Sequence, residues 1–139
     1  MRWMNFWKKQ VPVRVPDLRP SFLLPHNGAE IWIATLDNFG DQFKLLQEKI
    51  FATEQLIGKP SRSGYILYHL EDTVVTEEVA TLIIESLIRS SDYNRKIAFV
   101  GVSKRASKTL RSFSKELNLS SKSDYFSSMD EAKNWLTRE

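Results

Sequence analysis

Apolar positions follow two periods along the chain. Ser21 to Leu24 and Ala29 to Leu36 are short apolar runs of strand type. Asn27-Gly28 between them supplies the positive φ angles of a tight turn, so the two runs are expected to pair antiparallel. Phe43, Leu46, Ile50 and Ile57 then recur at near-helical spacing, with Asp37 and Asn38 as candidate caps and Gly58-Lys59-Pro60 as a stop. Tyr65 to Leu70 is the next apolar run. Val75, Val79, Leu82, Ile83 and Leu87 mark one face of a helix capped by Thr76, with Glu77 and Glu78 favouring its positive first turn. Ile97 to Val102 reads as a strand covered on both faces. Ala106, Leu110, Phe113 and Leu117 form one helical stripe, Asp124 to Phe126 a short strand, and Ser128 to Glu131 a capping box before a helix whose inner side is Met129, Ala132, Trp135 and Leu136.

The order is β-β-α-β-α-β-α-β-α. Strands alternating with helices predict a single α/β domain with a mixed sheet of four to five strands, mostly parallel, and an antiparallel edge from the first hairpin. Residues 1–20 precede it as an arm. Pro12, Pro16 and Pro20 exclude a helix there and predict an extended segment. The domain proper is expected over residues 21–139.

Composition narrows the chemistry. The 139 residues carry 20 Lys+Arg against 17 Asp+Glu, a net charge of +3, with two His and no Cys. The absence of Cys excludes disulfides, thiolate metal sites and a cysteine nucleophile. His26 and His69 leave little for a histidine metal site, so no metal or other cofactor is expected. The mild positive charge, without a basic stripe interleaved with aromatics, argues against nucleic acid as a partner. No run approaches the roughly 18 apolar residues of a membrane span. The N-terminal stretch has no apolar core or small-residue cleavage site of the secretory kind, which makes the cytoplasm the expected location.

Four places could carry chemistry. Ser103 to Thr109 opens a helix after a strand, where anions gather; Lys104, Arg105, Ser107 and Lys108 are the candidate anion-binding residues, although the Walker A pattern of Gly and Lys is missing. Glu71, Asp72, Glu77 and Glu78 concentrate acid at the junction of a strand and a helix, where paired carboxylates could bind Mg²⁺ or share acid and base roles; the alternative function is a small anionic ligand or nucleotide held at the Ser103–Lys108 helix start, with Glu71 and Asp72 handling a metal. His69 stands alone, and no serine elbow accompanies it, so a Ser-His-Asp hydrolase is not expected. Trp3, Phe6 and Trp7 beside Lys8 and Lys9 offer contact with a membrane surface. The open sheet edge and the proline-rich arm allow a homodimer.

The segments Ala34-Thr-Leu-Asp-Asn38 and Tyr65-Ile-Leu-Tyr-His-Leu-Glu-Asp-Thr-Val-Val-Thr-Glu-Glu-Val-Ala80, with Phe126-Ser-Ser-Met-Asp-Glu-Ala-Lys-Asn-Trp-Leu136 at the end, resemble the STAS domain family. That family comprises the SpoIIAA-type anti-sigma factor antagonists and the cytoplasmic tails of sulfate transporters, and the closing helix is also similar to that of a related bacterial SpoIIAA-like group. Laid on the family's I-D-S-S-G-L segment without gaps, Thr76 replaces the Asp, Glu77 the first Ser, Glu78 the phosphorylatable Ser and Val79 the Gly. The resemblance implies a non-enzymatic regulatory module that binds another protein, such as a regulatory kinase or anti-sigma-like protein. It also implies that no phosphoryl switch operates at Glu78, whose permanent charge is about −1 against −1.5 to −2 for phosphoserine. The contact surface expected on this basis is Asp37, Thr76, Glu77, Glu78, Ser103, Lys104 and Arg105.

Overall fold

The computed structural model describes residues 15–57 and 64–138. Its first hairpin forms at the Asn-Gly pair. β1 (Phe22–His26) runs antiparallel to β2 (Ala29–Thr35), His26 lies opposite Ala29, and Asn27 and Gly28 adopt φ of 50° and 79°. Positive φ at both central positions is the turn whose twist matches that of the flanking strands. β3 (Tyr65–His69), β4 (Lys96–Val100) and β5 (Lys122–Phe126) follow in parallel, giving the sheet order β1-β2-β3-β4-β5. The parallel steps run through α1 (Phe43–Ile57), α2 (Glu77–Arg89) and α3 (Lys104–Glu116), and α4 (Met129–Thr137) closes the chain. A short 3-10 turn, Ser91–Tyr93, occupies the polar connection after α2. The fold is thus the single α/β domain with a mixed sheet that the pattern predicts.

The alternation of side chains in β2, β3 and β4 divides the core in two. Trp32, Ala34, Ile66, Tyr68, Ile97 and Phe99 face α1, α2 and α3, and meet Leu46, Ile50, Ile83, Leu87 and Leu110. Ile31, Ile33, Leu67, Ala98 and Val100 face the other way, where Ala132 and Leu136 of α4 cover them. One nine-residue helix therefore covers what three helices cover opposite. Leu136 is fully buried, and burial of a leucine of this kind contributes about 1.5–3 kcal/mol.

Hydroxyl caps start three helices. Thr76 Oγ1 accepts from Val79 N at 3.2 Å, Ser103 Oγ from Ala106 N at 3.0 Å, and Ser128 Oγ from Glu131 N at 3.3 Å. Each satisfies a backbone donor that the first helical turn leaves open. Thr76→Ala is expected to lower the unfolding free energy by about 1 kcal/mol in urea titrations. An unchanged midpoint would show that the cap contributes nothing.

Two local expectations need correction. Asp37 and Asn38 do not cap α1, which begins at Phe43. The chain first turns at Asn38 (φ 64°), and Thr73 fastens this stretch by donating to Leu36 O and accepting from Phe39 N. β5 begins at Lys122, two residues before the expected strand start at Asp124. Lys122 and Ser123 pair with Lys96 and Ile97, and an edge strand with one neighbour needs no apolar residue to do so.

The arm is tied down in its described part. Asp17 N donates to Asp37 O at 3.0 Å, Ser21 Oγ and Thr53 Oγ1 share a buried hydrogen bond of 2.9 Å, and the buried Lys49 Nζ of α1 donates to Asp17 O and Thr35 O. Trp3, Phe6, Trp7 and the proposed helix stop at residues 58–60 lie outside the described residues. The register also bears on pairing through β1. In a two-residue hairpin closed by His26 and Ala29, Leu23 and Pro25 turn their backbone groups outward, and Pro25 has no N–H to offer. That missing donor weakens the β1 edge as a template for a second copy.

Candidate functional site

At the carboxyl end of the parallel strands, the connection from β3 to α2 (residues 70–76), that from β4 to α3 (residues 101–103) and the first turn of α3 enclose a cleft of about 690 Å³. Gly101 makes its turn at φ 80°, a conformation that favours glycine. Thr76, Ser103 and Arg105 line this cleft together with Glu71 and Asp72. The structure thus brings together part of the expected surface, but with both hydroxyls already engaged as helix caps.

Asp37 lies behind that surface. Its carboxylate accepts from Glu71 N at 2.9 Å and meets His69 Nδ1 at 2.7 Å, with both side chains about four-fifths buried. Asp37 therefore joins the ends of β2 and β3 and orients the imidazole of His69. Its part is to position the β3–α2 connection.

The candidate anion set is divided. Arg105 lines the cleft, where an anion would also face Glu71 and Asp72. Lys108 lines a separate groove with Arg111 and Lys115 beside β5. Ser107 Oγ donates to Lys104 O within the helix at 2.9 Å, and Lys104 is exposed. Mixed charge in the cleft and this dispersal work against an anion at the start of α3. Among the described residues no group of three or more His, Asp or Glu is placed to hold a metal ion.

Glu77 and Glu78 belong to a different feature. With Glu85, Thr81 and Leu82 they form the exposed ridge of α2, and Phe43 of α1 and Phe113 of α3 flank it in a shallow groove of about 460 Å³. Glu77 and Glu78 are exposed and form no salt bridge among the described residues. Phe43, Leu82 and Phe113 are half-buried. Sequence reading assigned these three to core stripes and missed their outward share. The available signal was the width of the α2 stripe, where Leu82 and Ile83 are adjacent and both cannot face the sheet fully.

No helix among the described residues is long and apolar enough to cross a membrane. No family model, curated protein or solved structure matches the chain.

Proposed function

We propose that the chain is a non-enzymatic, cytoplasmic protein-interaction module that docks a partner bearing a basic patch on the exposed ridge of α2. The observation that carries this reading is the juxtaposition of Glu77 and Glu78, exposed and without salt bridges among the described residues, with the half-buried Leu82, Phe43 and Phe113. Apolar groups at the centre with charges at the rim are the usual anatomy of a protein interface. The carboxylates would steer the partner and fix its register, while the apolar groups supply contact area.

The STAS resemblance supports the same location, since it lays Glu78 on the family's phosphorylatable position. A partner would read a permanent charge there. A regulatory kinase or an anti-sigma-like protein fits the partner class that the resemblance implies.

Affinity capture from native cytosol tests the reading, with wild type run beside Glu77→Lys/Glu78→Lys and circular dichroism confirming that both are folded. A specific protein retained by wild type and lost by the variant is expected. The same protein retained by both would remove α2 as the docking surface.

A further inference from the structure

The amino end of the sheet, opposite the cleft and groove above, carries a second concavity. Tyr65, Lys96 and Lys122 begin three adjacent parallel strands and stand in register. Together with the 94–96 and 120–122 stretches and Arg138 after α4, they bound a cleft of about 490 Å³. Four of its lining residues are cations, Arg95, Lys96, Lys122 and Arg138, and none among the described residues is a carboxylate. Charge segregation along the chain supplies three of these cations, Arg95, Lys96 and Lys122. Residues 71–92 hold six acids and one cation, whereas residues 93–122 hold eight cations and one acid.

The cations are arranged rather than scattered. Lys96 Nζ donates to Trp135 O at 2.8 Å and to Arg138 O at 2.9 Å, which draws the end of α4 and Arg138 to the cleft. The Arg95 guanidinium stacks 5.1 Å from the Tyr65 ring centre and donates to the Tyr65 hydroxyl at 3.2 Å. Gly64 makes room for it, since a Cβ there would lie 2.7 Å from Arg95 Nε. Asn94 and Ser121 are engaged with each other and with backbone carbonyls. Arg95, Lys122 and Arg138 form no salt bridge among the described residues.

We propose that this cleft binds a phosphate-bearing ligand through Arg95, Lys122 and Arg138. Cations gathered in one concavity repel each other, and an anion between them relieves that repulsion. Two guanidinium forks suit the paired oxygens of a phosphate, and lysine adds a point charge. The volume is that of a small-ligand site. A free oligophosphate and a phospholipid headgroup share this chemistry.

Tripolyphosphate titrated into the whole chain by calorimetry, and sedimentation with phosphatidylglycerol vesicles, distinguish the two sources. Saturable tripolyphosphate binding is expected, weakened at least tenfold in Lys122→Glu/Arg138→Glu and retained in Lys104→Glu/Arg105→Glu at the opposite end. Vesicle binding lost in the first pair alone would identify a headgroup as the source. If the first pair fails to fold, Arg95→Gln is expected to weaken binding measurably in a folded chain. Absence of saturable binding to both probes, or equal weakening by both double variants, would overturn the proposal.

Discussion

Phe99→Ala is expected to lower the unfolding free energy by about 3–5 kcal/mol. Phe99 is fully buried near the carboxyl end of β4. The parallel register places Tyr68 and Tyr125 directly beside it on β3 and β5, and the three rings stack with centre separations of 6.0 and 5.2 Å and interplanar angles of 13° and 15°. Alanine removes the middle ring, so it loses the transfer energy of the side chain and leaves a cavity that the flanking tyrosines cannot fill without leaving their strands. Tyr68 is itself buried, and burial pushes the Tyr125 hydroxyl up to about 12. A loss of this size is a large fraction of the total stability of an ordinary domain. Urea unfolding followed by circular dichroism measures it; a loss below about 1 kcal/mol would mean that the row does not hold β3, β4 and β5 together.

The second large effect is expected at Lys49. Its side chain, only 7% exposed, lies between the arm, the end of β2 and α1. Nζ donates to the carbonyls of Asp17 and Thr35 and stands 3.7 Å from the Asp17 carboxylate. Methionine nearly preserves length and removes the cost of burying a charge, but it leaves two acceptors without their donor. Each such orphan costs about 1–3 kcal/mol. The net expectation for Lys49→Met is a loss of about 2–4 kcal/mol by urea unfolding, accompanied by protease cleavage in residues 15–20 that wild type resists. Unchanged stability would mean that the arm is not fastened through this amine.

These groups also give stability a pH dependence of definite sign. The Arg19 side chain, above all, holds the Asp17 carboxyl well below the usual carboxylate range. Its contribution is therefore present above the ordinary carboxylate pKa of about 4 and is lost as pH falls through the folded value. Burial lowers the Lys49 pKa from 10.5. The folded chain then binds that proton less tightly than the unfolded one, so stability from Lys49 rises with pH between the folded value and the ordinary one. Asp17→Asn is expected to flatten the acid limb of a stability profile, and Lys49→Met the alkaline limb.

Most of the architecture was legible because its signals are local. The Asn27-Gly28 turn, the two-sided apolar run of β4 and the Thr76, Ser103 and Ser128 caps each depend on a few consecutive residues. The place of Asp37 is hidden in the sequence because its partners, His69 and Glu71, lie 32 and 34 residues away, whereas helix-cap chemistry is what its near neighbours suggest. Lys49 was passed over for a similar reason: a lysine on a helix reads as solvent-facing until the arm closes over it. The early start of β5 was hidden because edge pairing through Lys122 and Ser123 leaves no apolar trace. At the candidate surface, Glu77 and Glu78 were found as charges, whereas the groove formed by Phe43, Leu82 and Phe113 depends on three helices being packed side by side. The basic cleft at the opposite end gathers residues from the starts of strands and the end of α4, a proximity that no single stretch displays.

Docking on α2 is tested most directly by titrating the captured, purified partner against wild type and Glu77→Lys/Glu78→Lys at low and high salt. Reversing two rim charges is expected to weaken binding by about 10- to 100-fold at low salt, mostly through a slower association rate, with a smaller difference when salt screens the charges. An equal dissociation constant for both forms at low salt would contradict docking through the acidic ridge of α2.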